Sequence, residues 1–284
     1  MPDITIQKEV CTGCGACVEL CSVTHVFAME DRKAQVLSPS RCWDCGQCVG
    51  VCPVDAITHS SFPLDKCPLL ADIPGGEGAL PAVFQARRSV RVYKDKAVPR
   101  NMIEDLVSAA RWAPSGRNMQ AVQWLALDDR KTIDQLATDT IASLSEAAVD
   151  LRRRAKSAAG THEQRLALLE AKTFEHLHRR WKKGEMPLFF GAPVVMFAIT
   201  PRSDFGRDDA VISGYSMQLA ALQKGLATCQ IGYFILAQKF KNNLGKDILP
   251  IPEDHMVQMV MTAGYSKYSM RRSVHRDPVP LSWV

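Results

Sequence analysis

No stretch of this sequence is apolar for long enough to cross a bilayer. The longest apolar run, Pro187 to Thr200, is short, interrupted by proline and glycine, and reads as a buried core element. The opening Met1-Pro2-Asp3-Ile4 lacks a basic region followed by an apolar stretch, so no secretory signal is expected. The protein is accordingly expected to be soluble and cytoplasmic, with no membrane partner. A Gly-rich dinucleotide fingerprint is missing. No nucleic-acid motif accompanies the basic segment between Arg152 and Lys183, which reads as a solvated helix face, so no nucleic-acid partner is expected.

What is present is an ordinary globular balance, 46% hydrophobic and 23% charged over 284 residues, with material for a sizeable core. That length suits one large domain or two smaller ones. The net charge of +5 is unevenly spread: residues 1–70 hold five Lys/Arg against eight Asp/Glu, so the positive excess lies beyond them.

Ten cysteines are present, nine of them before residue 70. Without a secretory signal, their spacing argues for metal binding over disulfides. The first run is Cys11-x2-Cys14-x2-Cys17-x3-Cys21, and the second is Cys42-x2-Cys45-x2-Cys48-x3-Cys52-Pro53. This pattern points to paired cubane clusters. Three closely spaced thiolates wrap one cluster, and the fourth points away to ligate the other. Cys11, Cys14, Cys17 and Cys52 are thus expected to hold one [4Fe–4S] cluster, and Cys42, Cys45, Cys48 and Cys21 the second. Gly13, Gly15 and Gly46 would let the backbone approach the cluster sulfurs. Zinc also suits four thiolates, but usually through separated C-x2-C pairs. Ser22 stands where proline is usual after the fourth cysteine, a change in loop geometry that leaves the spacing intact. Cys67 and Cys229 fall outside the runs and read as buried packing residues. Residues 1–60 resemble the bacterial two-cluster ferredoxins.

The chain changes character at Ile73–Pro81, a breaker-rich stretch. Three segments are expected: a ferredoxin-type domain over 1–72, a linker over 73–82, and a second domain over 83–284. Short strands are expected at Ile4–Ile6, Val26–Ala28, Gln35–Leu37 and Ala56–Thr58. In the second domain, apolar periodicity predicts a helix over Val98–Trp112. Composition rich in Ala, Leu, Arg and Glu suggests helices over Thr132–Glu185, and Asp208–Gly225 reads as a long apolar helix with Gly225 as its C-cap. Strands are expected over Val122–Leu127, Pro193–Ile199 and Met256–Ala263. The tail from Tyr265 reads as irregular and basic. The alternation of helices and strands suggests a layered α/β or α+β domain.

Three segments of this domain carry chemistry. Arg87-Arg88-Ser89-Val90-Arg91 offers guanidinium forks and a hydroxyl suited to a phosphate. Ala113-Pro114-Ser115-Gly116-Arg117-Asn118-Met119-Gln120 presents a hydroxyl and two amides in a turn. Gly225 to Phe234 holds a glycine that lets a backbone N–H reach a ligand. Each has a plainer reading: a basic surface run, a helix-terminating turn, and a loop glycine.

In this order the segments resemble the nitroreductase family of FMN flavoproteins. Gly-Ala-Pro-Val-Val at 191–195, Gly-Leu-Ala-Thr-Cys-x-Ile-Gly at 225–232 and Gly-Tyr at 264–265 extend the likeness, and the tail to Trp283 resembles ferredoxin-fused members. Ala121 departs from the proline many members have there. The resemblance implies an α+β fold and a homodimer sharing two FMN sites, with the helix at 208–225 in the dimer core. It implies Arg87, Arg88, Ser89 and Arg91 at the phosphate and ring, with Pro114, Ser115, Asn118 and Gln120 from the other subunit. Gly232 would offer its N–H near flavin N5, and Arg272 or Arg276 would close over the phosphate. No protein nucleophile is needed, because the flavin is the redox group.

The expected function is an iron–sulfur flavoenzyme. Electrons would enter from reduced ferredoxin or a similar low-potential donor, pass through two [4Fe–4S] clusters to FMN, and leave to a small-molecule acceptor such as a nitroaromatic or quinone. NAD(P)H stays open as a donor, because the family binds it without a Gly-rich fingerprint. A lid would come from Ala142–Pro187, where Arg152–Arg154, His176, His178 and Trp181 read chiefly as surface or packing residues. The alternative is an electron-transfer or redox-sensing module with no small-molecule substrate.

Overall fold

Each cysteine run folds the same way, because each places a glycine before a short helix. In the computed structural model, which describes residues 1–72 and 80–284, Gly15 has φ 73° and precedes α1 (Ala16–Leu20), and Gly46 has φ 66° and precedes α2 (Gln47–Val51). A side chain would strain the left-handed backbone at either position. The chain divides into two compact units, Met1–Arg88 with Ser266–Val284, and Ser89–Tyr265.

In the first unit, β1 (Ile4–Ile6) pairs antiparallel with β4 (Ile57–His59), and β2 (Phe27–Glu30) with β3 (Lys33–Val36). The two strand pairs and the helices enclose a small core of Ile4, Val26, Phe27, Val49, Ile57 and Phe62 with the buried cysteines. Helix α3 (Leu80–Ala86) ends this part of the chain. Most of the expected linker, 73–79, lies outside the described residues.

The tail completes this unit, although its irregular sequence was grouped with the second domain. Val274 is buried in the small core, so close to Gly46 that a Cβ there would lie 2.2 Å from the valine Cγ1. Leu70 N donates to Arg271 O at 2.8 Å, and Arg271 N to Gly50 O at 2.8 Å. Arg272 grips Asp55 with both arms of its fork, Nε–Oδ1 2.8 Å and Nη2–Oδ2 2.7 Å, and donates to Cys67 O at 2.9 Å. That grip lowers the Asp55 pKa and raises that of Arg272. Lys267 and Tyr268 both reach Glu19.

The second unit is built on an antiparallel sheet in the order β5 (Gln123–Leu127), β6 (Val194–Pro201), β8 (His255–Gly264), β7 (Ala227–Gln230). Strand β6 is buried along nearly its whole length, and its side chains alternate between two cores. Val195, Phe197 and Ile199 face α5 (Arg130–Ser157), α6 (His162–Lys182) and α8 (Gly232–Gln238). Val194, Met196 and Ala198 face α4 (Arg100–Ala110) and α7 (Gly206–Gln223). The result is a three-layer α+β unit. In β8 an irregularity between the pairs Ala198↔Met259 and Ile199↔Val257 inserts an extra residue, so Val257 and Val260 both face the first core.

The expected helical stretch 132–185 is two helices. Thr161 caps the second through Gln164 N, after Gly160 turns the chain at φ 82°. Arg152 pairs with Glu175 and Arg154 with Glu163, so those arginines bind the hairpin together. Strand β7 and helix α8 fall where no element is expected from the sequence. Ala227, Thr228 and Cys229 are all buried, which leaves no polar alternation to mark a strand. Among the described residues no helix is long and apolar enough to cross a membrane.

Replacing Arg272 with Ala should therefore destabilise the first unit by about 1–3 kcal/mol, the range for charge-assisted bonds whose loss strands a partner. Arg276, which is exposed, serves as the control. Unfolding followed at the cysteine-rich unit should shift for Arg272→Ala and not for Arg276→Ala; equal shifts would show that the tail does not clasp this unit through Arg272.

Candidate metal centres and cofactor site

The eight repeat cysteines gather in two groups of four. Cys11, Cys14, Cys17 and Cys52 line one cavity, together with Gly15, Ala34, Val54 and Ile57. Burial pushes the Cys17 thiol up to about 12, and Cys14, Cys52 and Cys11 add to the rise. Cys48 is likewise raised by burial, then by Cys45, Cys21 and Cys42. Each half of the repeat thus sends its fourth cysteine to the other half's trio. Four soft donors crowded in an apolar recess raise one another's pKa only while no cation lies between them. A bound metal reverses that, since it coordinates the thiolate.

Positive groups lie against the carbonyls of these cysteines. Lys33 donates to Cys11 O, Arg88 to Cys45 O, and Arg271 to Cys52 O at 3.0 Å. The sulfurs have their own donors: Ala56 N lies 3.2 Å from Cys52 Sγ, and Asp44 N lies 3.4 Å from Cys42 Sγ. Cys42, Asp44 and His59 also bring one ligand atom each within 4.8 Å. That trio would compete for the sulfur that the Cys42 group shares. Cys67 and Cys229 are both buried, and the Cys67 sulfur accepts from His275 N at 3.4 Å.

The first and third cofactor motifs meet in the second unit. Ser89 bridges Thr228, and Val90 N donates to Thr228 O at 3.0 Å, so this strand lies along β7 just before Gly232. Arg91 stacks 5.8 Å from the Phe190 ring centroid and offsets the burial that raises the Tyr233 phenol. Gly232 is exposed, and a Cβ added there would meet nothing within 4 Å. Arg88 is buried and turns to Cys45, within the first unit.

Ser115 Oγ accepts from Gln120 N at 2.9 Å, and Gln120 Nε2 reaches Asn118 Oδ1 at 3.3 Å. Arg117, Asn118 and Gln120 all have positive φ, 53°, 54° and 51°. Three non-glycine residues in the left-handed region are held there at a cost, a feature that clusters at binding turns. Buried Asp209 of α7 holds the turn by accepting from Gly116 N at 2.8 Å. Pro114, Ser115 and Gln120 line a recess with Trp124, Asp209 and Ser213. Among the described residues, no hydrogen bond joins this turn to Ser89, Arg91 or Gly232.

Of the two tail arginines expected at the phosphate, Arg272 is instead committed to Asp55 and Cys67, with every arm of its fork in use. Arg276 is exposed.

Comparison with known proteins fits this picture. The nitroreductase family model matches residues 84–265. The chain belongs to the nitroreductase family. It is therefore an oxidoreductase. A 4Fe-4S dicluster domain model matches residues 10–56, so this nitroreductase carries an iron–sulfur domain before its family fold. No curated protein matches the chain. Among solved structures, a BluB-like flavoprotein from Clostridium difficile 630 is 16% identical, with 72% of this chain and 94% of that one covered and a TM-score of 0.51. An FMN-dependent nitroreductase from Clostridium difficile R20291 is 19% identical, with 71% and 97% covered and a TM-score of 0.50. At these identities the likeness is one of fold.

Sequence reasoning missed three supporting residues. Asp209 and Asp55 carry no local signal, since each acts on a partner remote in sequence. His59 had one: it sits two residues after Ile57 in a strand whose alternate side chains are buried.

Asp209→Ala should loosen the Ser115–Gln120 turn and make Arg117 a trypsin site in the folded protein, because Gly116 N loses its acceptor. Asp209→Asn keeps an oxygen there and should restore protection. Equal cleavage of wild type and Asp209→Ala would show that the turn holds its shape without Asp209.

Proposed function

We propose that this nitroreductase is an iron–sulfur flavoenzyme that takes electrons from a low-potential donor such as reduced ferredoxin and delivers them to a small, electron-poor organic acceptor. The observation that carries this reading is the interleaving of the two thiol groups, with Cys52 beside Cys11, Cys14 and Cys17, and Cys21 beside Cys42, Cys45 and Cys48. A single site would need only one of them. When bound, FMN and the [4Fe–4S] clusters supply one-electron exchange, and the flavin adds hydride delivery to an acceptor.

The residues of the chain have distinct tasks in this proposal. The two thiol groups hold a cluster each. Lys33, Arg88 and Arg271 offset the negative charge that thiolates and sulfides bring into a partly buried site. Arg91 places positive charge where a reduced flavin gathers negative charge. Ser115, Asn118 and Gln120 offer hydroxyl and amide groups from a turn whose shape Asp209 fixes. Gly232 leaves its backbone open to a ring that a side chain would obstruct.

A site shared by two subunits would bring the second motif to the first and third, to which no hydrogen bond joins it among the described residues. Exposed apolar residues support an interface along α7: Phe205, Ile212 and Tyr215 are 42%, 41% and 41% exposed. Large apolar side chains grouped in this way mark an interaction face.

Chemical analysis of protein purified without oxygen tests the reading. We expect about eight iron and eight sulfide per chain, as two cubane clusters require, together with one FMN. The reduced protein should discharge promptly to nitroaromatics or quinones. Zinc in place of iron and sulfide would overturn the cluster assignment, and discharge only to a protein partner would identify an electron-transfer module without a small-molecule substrate.

A further inference from the structure

His59 has appeared so far only as a member of the trio with Cys42 and Asp44, yet it is one of the most enclosed polar residues in the first unit. Its side chain is 0% exposed. It is the last residue of β4, and the strand's alternation turns it inward. The Phe62 ring lies 4.8 Å away, centroid to centroid, and limits the imidazole's rotation. The chain thus holds a buried, fixed imidazole beside a group of metal-binding thiols.

The hydrogen bonds fix its tautomer. Nδ1 accepts the backbone N–H of Ser61 at 3.2 Å. A ring nitrogen that accepts an amide hydrogen has its lone pair free, so the ring proton is on Nε2. Nε2 lies 3.5 Å from Cys42 Sγ, within hydrogen-bonding distance for sulfur. The nearest carboxylate oxygen, Asp44 Oδ1, is 3.8 Å from Nε2 and is itself engaged by Ser61 Oγ at 2.8 Å. The proton on Nε2 is therefore aimed at sulfur. Together with Asp44 N at 3.4 Å, it gives Cys42 two N–H donors.

We infer that His59 tunes the reduction potential of the cluster held by Cys42, Cys45, Cys48 and Cys21, by donating a hydrogen bond from Nε2 to the Cys42 sulfur. This rests on the proposed reading that these thiols hold a [4Fe–4S] cluster. The physical reason is differential. Reduction adds one negative charge, and the thiolate sulfurs share it. An N–H dipole directed at one of them stabilises the reduced form more than the oxidised form, which raises the potential. The other thiol group provides an internal control, because the donor at its Cys52 sulfur is the backbone N–H of Ala56. His59 is thus a positioning and tuning residue. It is not a ligand in this assignment, although it belongs to the trio with Cys42 and Asp44.

The test is a redox titration of the whole protein, with the two clusters followed separately by electron paramagnetic resonance. His59→Phe keeps a ring against Phe62 and removes the donor. Iron and sulfide content should stay at the wild-type level, one midpoint potential should move negative, and the other should stay in place. His59→Gln retains an N–H and should fall between wild type and His59→Phe. If His59→Phe does not fold, a negative shift of one midpoint in His59→Gln sustains the inference, and no shift overturns it. Unchanged midpoints in a cluster-replete His59→Phe protein would overturn it. Loss of half the iron from that variant with its fold intact would also overturn it, by making His59 a ligand. Wild-type protein without iron and sulfide would instead sink the cluster reading on which the inference stands.

Discussion

Thiols are poor neighbours for one another when buried, and the first unit brings eight of them into two tight groups. Burial and mutual proximity push Cys17 and Cys48 upward, so the arrangement makes chemical sense around cations. The rest of this unit follows from that constraint. Glycines in left-handed conformation bend each loop so that three thiols converge. The fourth crosses to the other half and ties the two halves of the repeat together. Backbone and side-chain N–H groups reach the sulfurs, and three cationic side chains reach the neighbouring carbonyls. The tail then closes the unit, through Val274 in its core and Arg272 on Asp55.

The second unit answers a different constraint. Strand β6 is buried on both faces between two helical layers, which leaves the centre of the sheet to packing. The polar groups sit at its margins, where chain geometry is less regular. Ser89 and Arg91 run along the edge strand β7. Ser115, Asn118 and Gln120 stand on a turn that spends conformational energy at three left-handed residues. Asp209 anchors that turn from a neighbouring helix.

Much of this was legible in the sequence because the signals were local. The cysteine spacing marked both thiol groups, and Cys21 and Cys52 stood out as the fourth member of each run. Periodicity marked α4, and apolar composition marked α7 and the buried strand β6. The rest depended on pairs distant along the chain. Arg272 read as a phosphate ligand because a basic tail and a family likeness offered nothing else for it to meet; Asp55, its actual partner, lies 217 residues away. Arg88 belonged to an arginine-rich motif, and only the fold shows it turning to Cys45. Strand β7 escaped notice because its four residues are too short a run to stand out as the longer buried strand β6 does.

The central claim is that electrons reach the flavin by way of the thiol-bound clusters. Cys52→Ala removes one ligand from the group of Cys11, Cys14 and Cys17 and leaves the sheet and helices of the second unit untouched. The decisive measurement compares two rates on one flavin-replete sample of this variant: acceptor reduction driven by reduced ferredoxin, and acceptor reduction after the flavin is reduced directly by a small chemical reductant. The account predicts loss of the first and retention of the second. Undiminished ferredoxin-driven turnover after verified loss of the cluster would contradict it, because the donor would then be reaching the flavin directly.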